Sequence, residues 1–239
     1  MSVDDDGAFV REQYASPDKL RARKAAYANA EGDDPRELVF EAIATERPRR
    51  VLEVGGGEGE LAERIINELG AEVVGIDQSE AMVELQRSRG IDARVGNAQE
   101  IPFPEGEFDV AVAAWMLYHV PDLDRALGEL ARVLKPGGVL VAATNSAEHM
   151  RELWNLARRE RLTPPTTFRS ENGEEALRRH FAVVERREAR GWVTMDDATI
   201  RSFAASWAPL ASLMTMPPLG EPIRAHAHAT VFVARKAVS

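Results

Sequence analysis

Between residues 49 and 144 short apolar runs rich in β-branched residues alternate with helical patterns, and a glycine-dense turn follows the first run. That alternation fits a parallel sheet built from βαβ units, because parallel neighbours need a crossover, usually a helix, to connect them. Arg50–Val54 is expected as the first strand, Glu60–Leu69 as a helix, Glu72–Asp77 as the second strand and Glu80–Arg89 as the next helix. Ala93–Val95 follows as a short third strand, Phe108–Ala113 as a fourth, Leu123–Leu134 as an amphipathic helix, and Val139–Thr144 as a fifth strand after the Pro136-Gly137-Gly138 turn. The expected core is a doubly wound α/β sheet.

The flanks read differently. Pro17–Ala30 and Pro35–Glu46 are expected as two helices, each with proline near its first turn, where a missing N–H is tolerated best. Behind the core, Ala147–Arg161, Glu174–Arg179 and Asp196–Trp207 are expected as helices, and Phe181–Arg187 and Thr230–Arg235 as strands. The stretch Pro209–Pro222, with Met214, Met216, Pro217 and Pro218, is expected as a long loop. Three segments result: 1–46 helical, 47–146 the core, and 147–239 completing the same domain.

Composition removes several classes of function. Without cysteine there is no disulfide, thiolate nucleophile or cysteine-held zinc, so any catalytic group is oxygen or nitrogen. A net charge of −9 argues against a large nucleic-acid surface, and the clusters Arg47/Arg49/Arg50, Arg158/Arg159/Arg161 and Arg186/Arg187 lie among acids, as on a solvated face. No apolar run approaches the roughly 20 residues that span a bilayer, and the acidic Met1–Asp6 leads into no signal-like apolar region. A cytoplasmic protein without a membrane partner is expected, as monomer or homodimer.

The turn after the first strand carries the chemistry. Glu53-x-Gly55-x-Gly57-x-Gly59 places an acid in the strand and three glycines in the loop, where the missing Cβ lets a ligand lie against the main chain. A dinucleotide fingerprint fits poorly. Counted from Gly55 and Gly57 its last position is the bulky acid Glu60; counted from Gly57 and Gly59 it is Ala62, two residues deeper in the helix. Glu53 would also repel a pyrophosphate and suits a cationic ligand. As alternatives to ligand contact, Glu53 can cap the glycine loop and Asp77 can cap the helix that follows.

Taken together, four motifs resemble the class I S-adenosylmethionine-dependent methyltransferases over about residues 49–144. The glycine loop resembles their first motif, although the acid there is usually Asp. Val73-Val-Gly-Ile-Asp77 resembles the strand whose terminal acid holds both ribose hydroxyls. Gly96-Asn97-Ala98-Gln99 resembles their adenine-side motif, with Asn97 where an acid is usual. Phe108-Asp109-Val110 through Leu117-Tyr118-His119-Val120, then Leu134-Lys135-Pro136-Gly137-Gly138, resembles their fourth- and fifth-strand region. The resemblance implies a Rossmann-like, mostly parallel seven-stranded sheet in the order 3-2-1-4-5-7-6 with an amino-terminal helical lid. It implies S-adenosylmethionine as cofactor and a small-molecule acceptor methylated on O, N or C. It implies cofactor contacts from Glu53, Gly55, Gly57, Gly59, Asp77, Gln78, Asn97, Ala98, Gln99 and Ala114, with Tyr14 and Arg23 contributed by the lid. A non-catalytic protein that binds the cofactor or its demethylated product, or a subunit of a partner enzyme, is the alternative, and a nicotinamide-dependent oxidoreductase a more remote one.

His119 and His149 fall beyond the carboxyl ends of the fourth and fifth strands, where open α/β sheets bind ligands, and are the candidate general bases. Trp115, Met116, Tyr118, Trp154, Trp207, Met214 and Met216 are candidate walls of an acceptor pocket. His226 and His228 share one face of a strand, but no third ligand is near in sequence, so no metal is expected.

Overall fold

A computed structural model describes residues 17–157, 168–206 and 208–238. The expected strands assemble into one sheet. In chain order the strands are β1 (Ala30–Gly32), β2 (Arg50–Val54), β3 (Glu72–Asp77), β4 (Asp92–Val95), β5 (Phe108–Ala114), β6 (Leu134–Asn145), β7 (Val183–Met195) and β8 (Ile223–Arg235). They lie in the order β1-β7-β8-β6-β5-β2-β3-β4. Without β1 this is the order that the resemblance implied; β1 adds an eighth strand, antiparallel to β7 at the edge. β2 to β6 run parallel, and β8 lies antiparallel between β6 and β7.

The apolar runs of β2, β3, β5 and β6 are continuous because both sheet faces are covered. One face packs Leu52, Val54, Ile76, Phe108 and Leu140 beneath α5 (Leu123–Val133), and the other packs Val51, Val73, Val110 and Val141 beneath α2 (Pro35–Thr45), α3 (Glu60–Leu69) and α4 (Glu80–Ser88). The helix starts follow capping chemistry. Asp34 accepts from Arg36 N at 2.8 Å, Ser79 from Met82 N at 3.4 Å, and Asp122 from Arg125 N at 3.0 Å.

Four expectations need correction outside the core. The first helix among the described residues, α1 (Pro17–Ala25), ends at Ala25 instead of Ala30, because Ala30–Gly32 pairs with Gly191–Val193. β7 and β8 are each 13 residues long, far beyond Phe181–Arg187 and Thr230–Arg235. Their additional residues alternate large side chains that reach the surface (Glu188, Arg190, Trp192) with small or apolar ones (Ala189, Gly191, Val193), the period of a strand with one covered face. The helix expected at Ala147–Arg161 is confined to α6 (Arg151–Leu156), with Arg158, Arg159 and Arg161 outside the described residues, and Gly173–Leu177 is α7. Within Pro209–Pro222, residues up to Thr215 belong to a 3-10 segment, Ala208–Thr215.

The long β7–β8 hairpin rises past the carboxyl end of β6 and carries a core of its own. Met150, Leu153, Trp154, Val193, Phe203 and Leu213 pack there with α8 (Asp197–Ala205), and Ala26 at the end of α1 joins them. Among the described residues no helix is long and apolar enough to cross a membrane.

Candidate functional site

The glycine loop leaves β2 at Gly55, whose N–H donates to Ile76 O at 2.8 Å, and reaches α3 through Gly57 and Gly59, both at positive φ. Gly56 is required for space: a Cβ there would lie 2.3 Å from Glu53 Oε2. At Gly59 a Cβ would meet Ile91 Cδ1 at 2.7 Å, so this glycine lets α3 pack on its neighbours while φ stands at +80°.

Glu53 is buried beneath this loop, 3% exposed. Its carboxylate accepts the backbone N–H of Ala62 in the first turn of α3, yet among the described residues Oε2 has no hydrogen-bond partner. Burial, together with the negative Asp77 nearby, pushes its pKa up to about 7. Capping and ligand contact are therefore compatible: one oxygen serves the helix, and the other is a buried acceptor awaiting a donor.

Asp77 stands at the end of the adjacent strand. Its Oδ1 accepts from Ser79 N at 2.9 Å and Oδ2 from Gly57 N at 3.4 Å, while Ser79 itself caps α4. Burial raises the Asp77 pKa, against the hydrogen bonds that lower it. Gln78 is half-buried beside it. Gln86, fully buried, donates to Gly57 O at 3.0 Å and ties the loop to α4. Beyond β4, Asn97 Oδ1 accepts from Gln99 N at 2.9 Å, Ala98 is buried, and Gln99 Oε1 accepts from Asp122 N at 2.9 Å. The carboxyl ends of β2, β3 and β4 thus lie side by side beneath the glycine loop.

β5 delivers the next wall. Ala114 is followed by Trp115 at φ +54°, a conformation that strains a non-glycine residue, and Trp115 Nε1 donates to Asn145 Oδ1 at 3.0 Å. A Cβ on Gly55 would lie 2.8 Å from Met116 Cβ, so Gly55 makes room for this segment. A 3-10 turn, Leu117–His119, then presents His119, half-buried, with the Tyr118 ring edge-on at 4.5 Å. Burial, reinforced by the positive charge of Arg23, lowers its pKa to about 4. His119 is neutral near pH 7, as a proton acceptor must be.

α1 lies over the loop. Leu20 Cδ2 would touch a Cβ on Gly57 at 3.2 Å, and buried Glu58 accepts from Arg21 Nε at 2.9 Å and Lys24 Nζ at 3.4 Å. Arg23 comes from the same helix; Tyr14 and Trp207 lie outside the described residues.

The structure corrects His149 as a base. It is 6% exposed, its Nδ1 accepts the backbone N–H of His228 at 3.0 Å, and its Nε2 meets Tyr27 Oη at 2.8 Å. With Nδ1 accepting, the neutral ring carries its proton on Nε2, so neither nitrogen is left for an acceptor. We expect His149→Ala to destabilise the fold by roughly 2–3 kcal/mol, through the orphaned His228 N–H and the lost packing. Urea unfolding checks this, and an unaltered midpoint would refute the structural role. Trp154 and Met216 likewise belong to the hairpin core instead of a pocket wall, whereas Met214 is exposed. His226 and His228 each pair with a carboxylate, Glu152 and Glu188 respectively.

Sequence reasoning missed Glu58 and Gln86, which hold the loop from either side. The only sequence signal for them was their position, one inside the glycine run and the other one helix later.

Residues 52–142 match a family model described as a methyltransferase domain. The ubiquinone/menaquinone biosynthesis C-methyltransferase UbiE of Methylobacterium nodulans is 41% identical over 101 residues, 38% of this chain and 40% of that protein. The demethylmenaquinone methyltransferase of Thermus thermophilus is also 41% identical over 101 residues, 39% of this chain and 46% of that protein. The chain thus spans less than half the length of these curated relatives. Among solved structures, the YcgJ protein of Bacillus subtilis has a TM-score of 0.64 at 20% identity, covering 84% of this chain and 97% of that one.

Proposed function

We propose that residues 52–142, which match the methyltransferase domain model, are of the class I, S-adenosylmethionine-dependent kind, and that the protein transfers the methyl group of that cofactor to a small-molecule acceptor. The observation that carries this proposal is Glu53 Oε2, a buried acceptor behind the glycine loop that has no partner among the described residues, one strand from Asp77. Two acids at adjacent strand ends suit a ligand with sugar hydroxyls at one end and an ammonium group at the other. Asp77 would suit the ribose of either nucleotide, but Glu53, where ionised, would repel a pyrophosphate on the glycine loop, which disfavours the oxidoreductase alternative.

In this proposal Asp77 holds the ribose hydroxyls, with Gln78 beside it, and Asn97, Ala98 and Gln99 line the adenine side. Gly55, Gly57 and Gly59 let the ligand lie on the main chain, Glu53 takes the ammonium group, Ala114 borders the methionine end, and Arg23 takes its carboxylate. When bound, the cofactor supplies a methyl carbon activated by a sulfonium. The remaining work is alignment and exclusion of water, which α1 serves by closing over the loop. His119 takes the acceptor's proton where the acceptor must lose one. The hairpin, α6 and α8 lie outside residues 52–142, which match the methyltransferase domain model, so the acceptor atom is left as O, N or C.

Calorimetric titration with S-adenosylmethionine, S-adenosylhomocysteine and NADH tests the cofactor. The two sulfur nucleotides should bind and NADH should not; the reverse would overturn the proposal.

Glu53→Gln should separate ligand binding from stability. A carboxyl whose folded pKa is raised from 4.5 to about 7 binds its proton more tightly in the fold, so its contribution to stability falls as pH rises from about 4.5 to about 7. Above pH 7 the penalty is about 3 kcal/mol, which the amide removes while still accepting from Ala62. The variant should match the wild type in urea at pH 4, exceed it at pH 8, and bind S-adenosylmethionine more weakly. Equal stability at both pH values would refute the buried-charge account.

A further inference from the structure

Far from the glycine loop, β7 and β8 turn Arg190, Trp192, His226 and His228 to one face, and with Glu31 and Glu148 these line a groove of about 380 Å3. Its base is aromatic. The Trp192 and His226 rings lie 3.9 Å apart, and the Arg224 guanidinium sits 4.7 Å from the Trp192 centroid. Gly191 and Gly32 seal the β1 side: a Cβ on Gly191 would lie 2.0 Å from Glu31 O, so only glycine lets β1 close against β7 here.

The acids around the groove already face bases. Glu31 meets Arg224 at 2.8 Å, Glu148 meets Arg151 at 3.0 Å, Glu152 takes His226 and Arg151, and Glu188 takes His228 at 2.6 Å and Arg186 at 2.7 Å. Arg190 differs. Its main chain is tied to Asp33, with N donating to Oδ2 at 3.1 Å, but among the described residues its guanidinium has no carboxylate within ion-pair distance. A planar cation with free donors beside an aromatic ledge selects an anion attached to a flat body.

We propose that this groove is a second ligand site, for a small organic anion carrying a flat unsaturated ring, held by Arg190 and stacked on Trp192. It is separate from the glycine cleft, since four strand steps divide β7 from β2, roughly 19 Å at ordinary sheet spacing. The site does not depend on the methyltransferase proposal.

The test uses 2-naphthoate and the neutral 2-naphthamide as probes, titrated calorimetrically into the wild type and Arg190→Gln, with the Trp192 indole followed by NMR. Naphthoate should bind and shift the Trp192 indole signal, and either naphthamide or Arg190→Gln should weaken binding about tenfold, the share of one charge-assisted contact. S-adenosylhomocysteine should neither displace naphthoate nor bind differently to Arg190→Gln. Absence of naphthoate binding at millimolar concentration, equal affinity for Arg190→Gln, or displacement by S-adenosylhomocysteine would each overturn the site. Failure of the wild type to bind S-adenosylhomocysteine would strike the methyltransferase proposal alone.

Discussion

Asp77→Ala should weaken S-adenosylhomocysteine binding roughly a thousandfold, the sum of two hydrogen bonds to a charged carboxylate at about 2 kcal/mol each. The fold should survive. Asp77 accepts the N–H groups of Ser79 and Gly57, but the second bond is long at 3.4 Å, and burial already disfavours the carboxylate, raising its pKa. Losing the charge therefore offsets part of the loss of those contacts. Asp77→Asn keeps an acceptor for Ser79 N and loses only the charge, so its affinity should fall between wild type and Ala. Calorimetry beside thermal unfolding separates binding from folding. If the Ala variant melts normally and binds S-adenosylhomocysteine as the wild type does, Asp77 is a loop-bracing acid, and the ribose contact belongs to another residue.

Where local pattern and tertiary context agree, the sequence was legible. β2, β3 and β5 fall within a residue of expectation because their apolar runs are bounded by glycine or capping residues, and Ser79 and Asp122 mark the helix starts that follow. β1 was not legible: Ala30-Glu31-Gly32 is fully exposed, with no apolar period, and exists as a strand only because Gly191 admits it. The outer halves of β7 and β8 were hidden because histidine, arginine and alanine stand where β-branched residues usually signal a strand. The site divides in the same way. Glu53 and Asp77 stand at adjacent strand ends, as their place in the apolar runs predicts, but the contact of Glu53 with the Ala62 N–H nine residues on arises only from the packing of α3 against β2. His149 was misjudged because its partners, Tyr27 and His228, lie 122 and 79 residues away and leave no local trace.

His119→Ala should lower kcat roughly 10²- to 10⁴-fold on an acceptor that must lose a proton, with S-adenosylhomocysteine affinity nearly unchanged. Its environment gives the argument a signature independent of any acceptor. Burial first, and the charge of Arg23 second, depress the imidazole pKa to about 4, so NMR should find the ring neutral at pH 5.5, where an exposed histidine is mostly protonated. The rate should then lack a limb near pH 6.5 and fall only as pH drops towards 4. Arg23→Gln should raise the imidazole pKa, because it removes the smaller of the two causes while burial persists. A ring titrating near 6.5 would place His119 in contact with water and refute the burial account. A ring neutral at pH 5.5 with kcat untouched by the alanine variant would mean that the acceptor arrives with its lone pair ready. Transfer would then rest on alignment alone, and the work of the site would fall to the residues that position the two reactants.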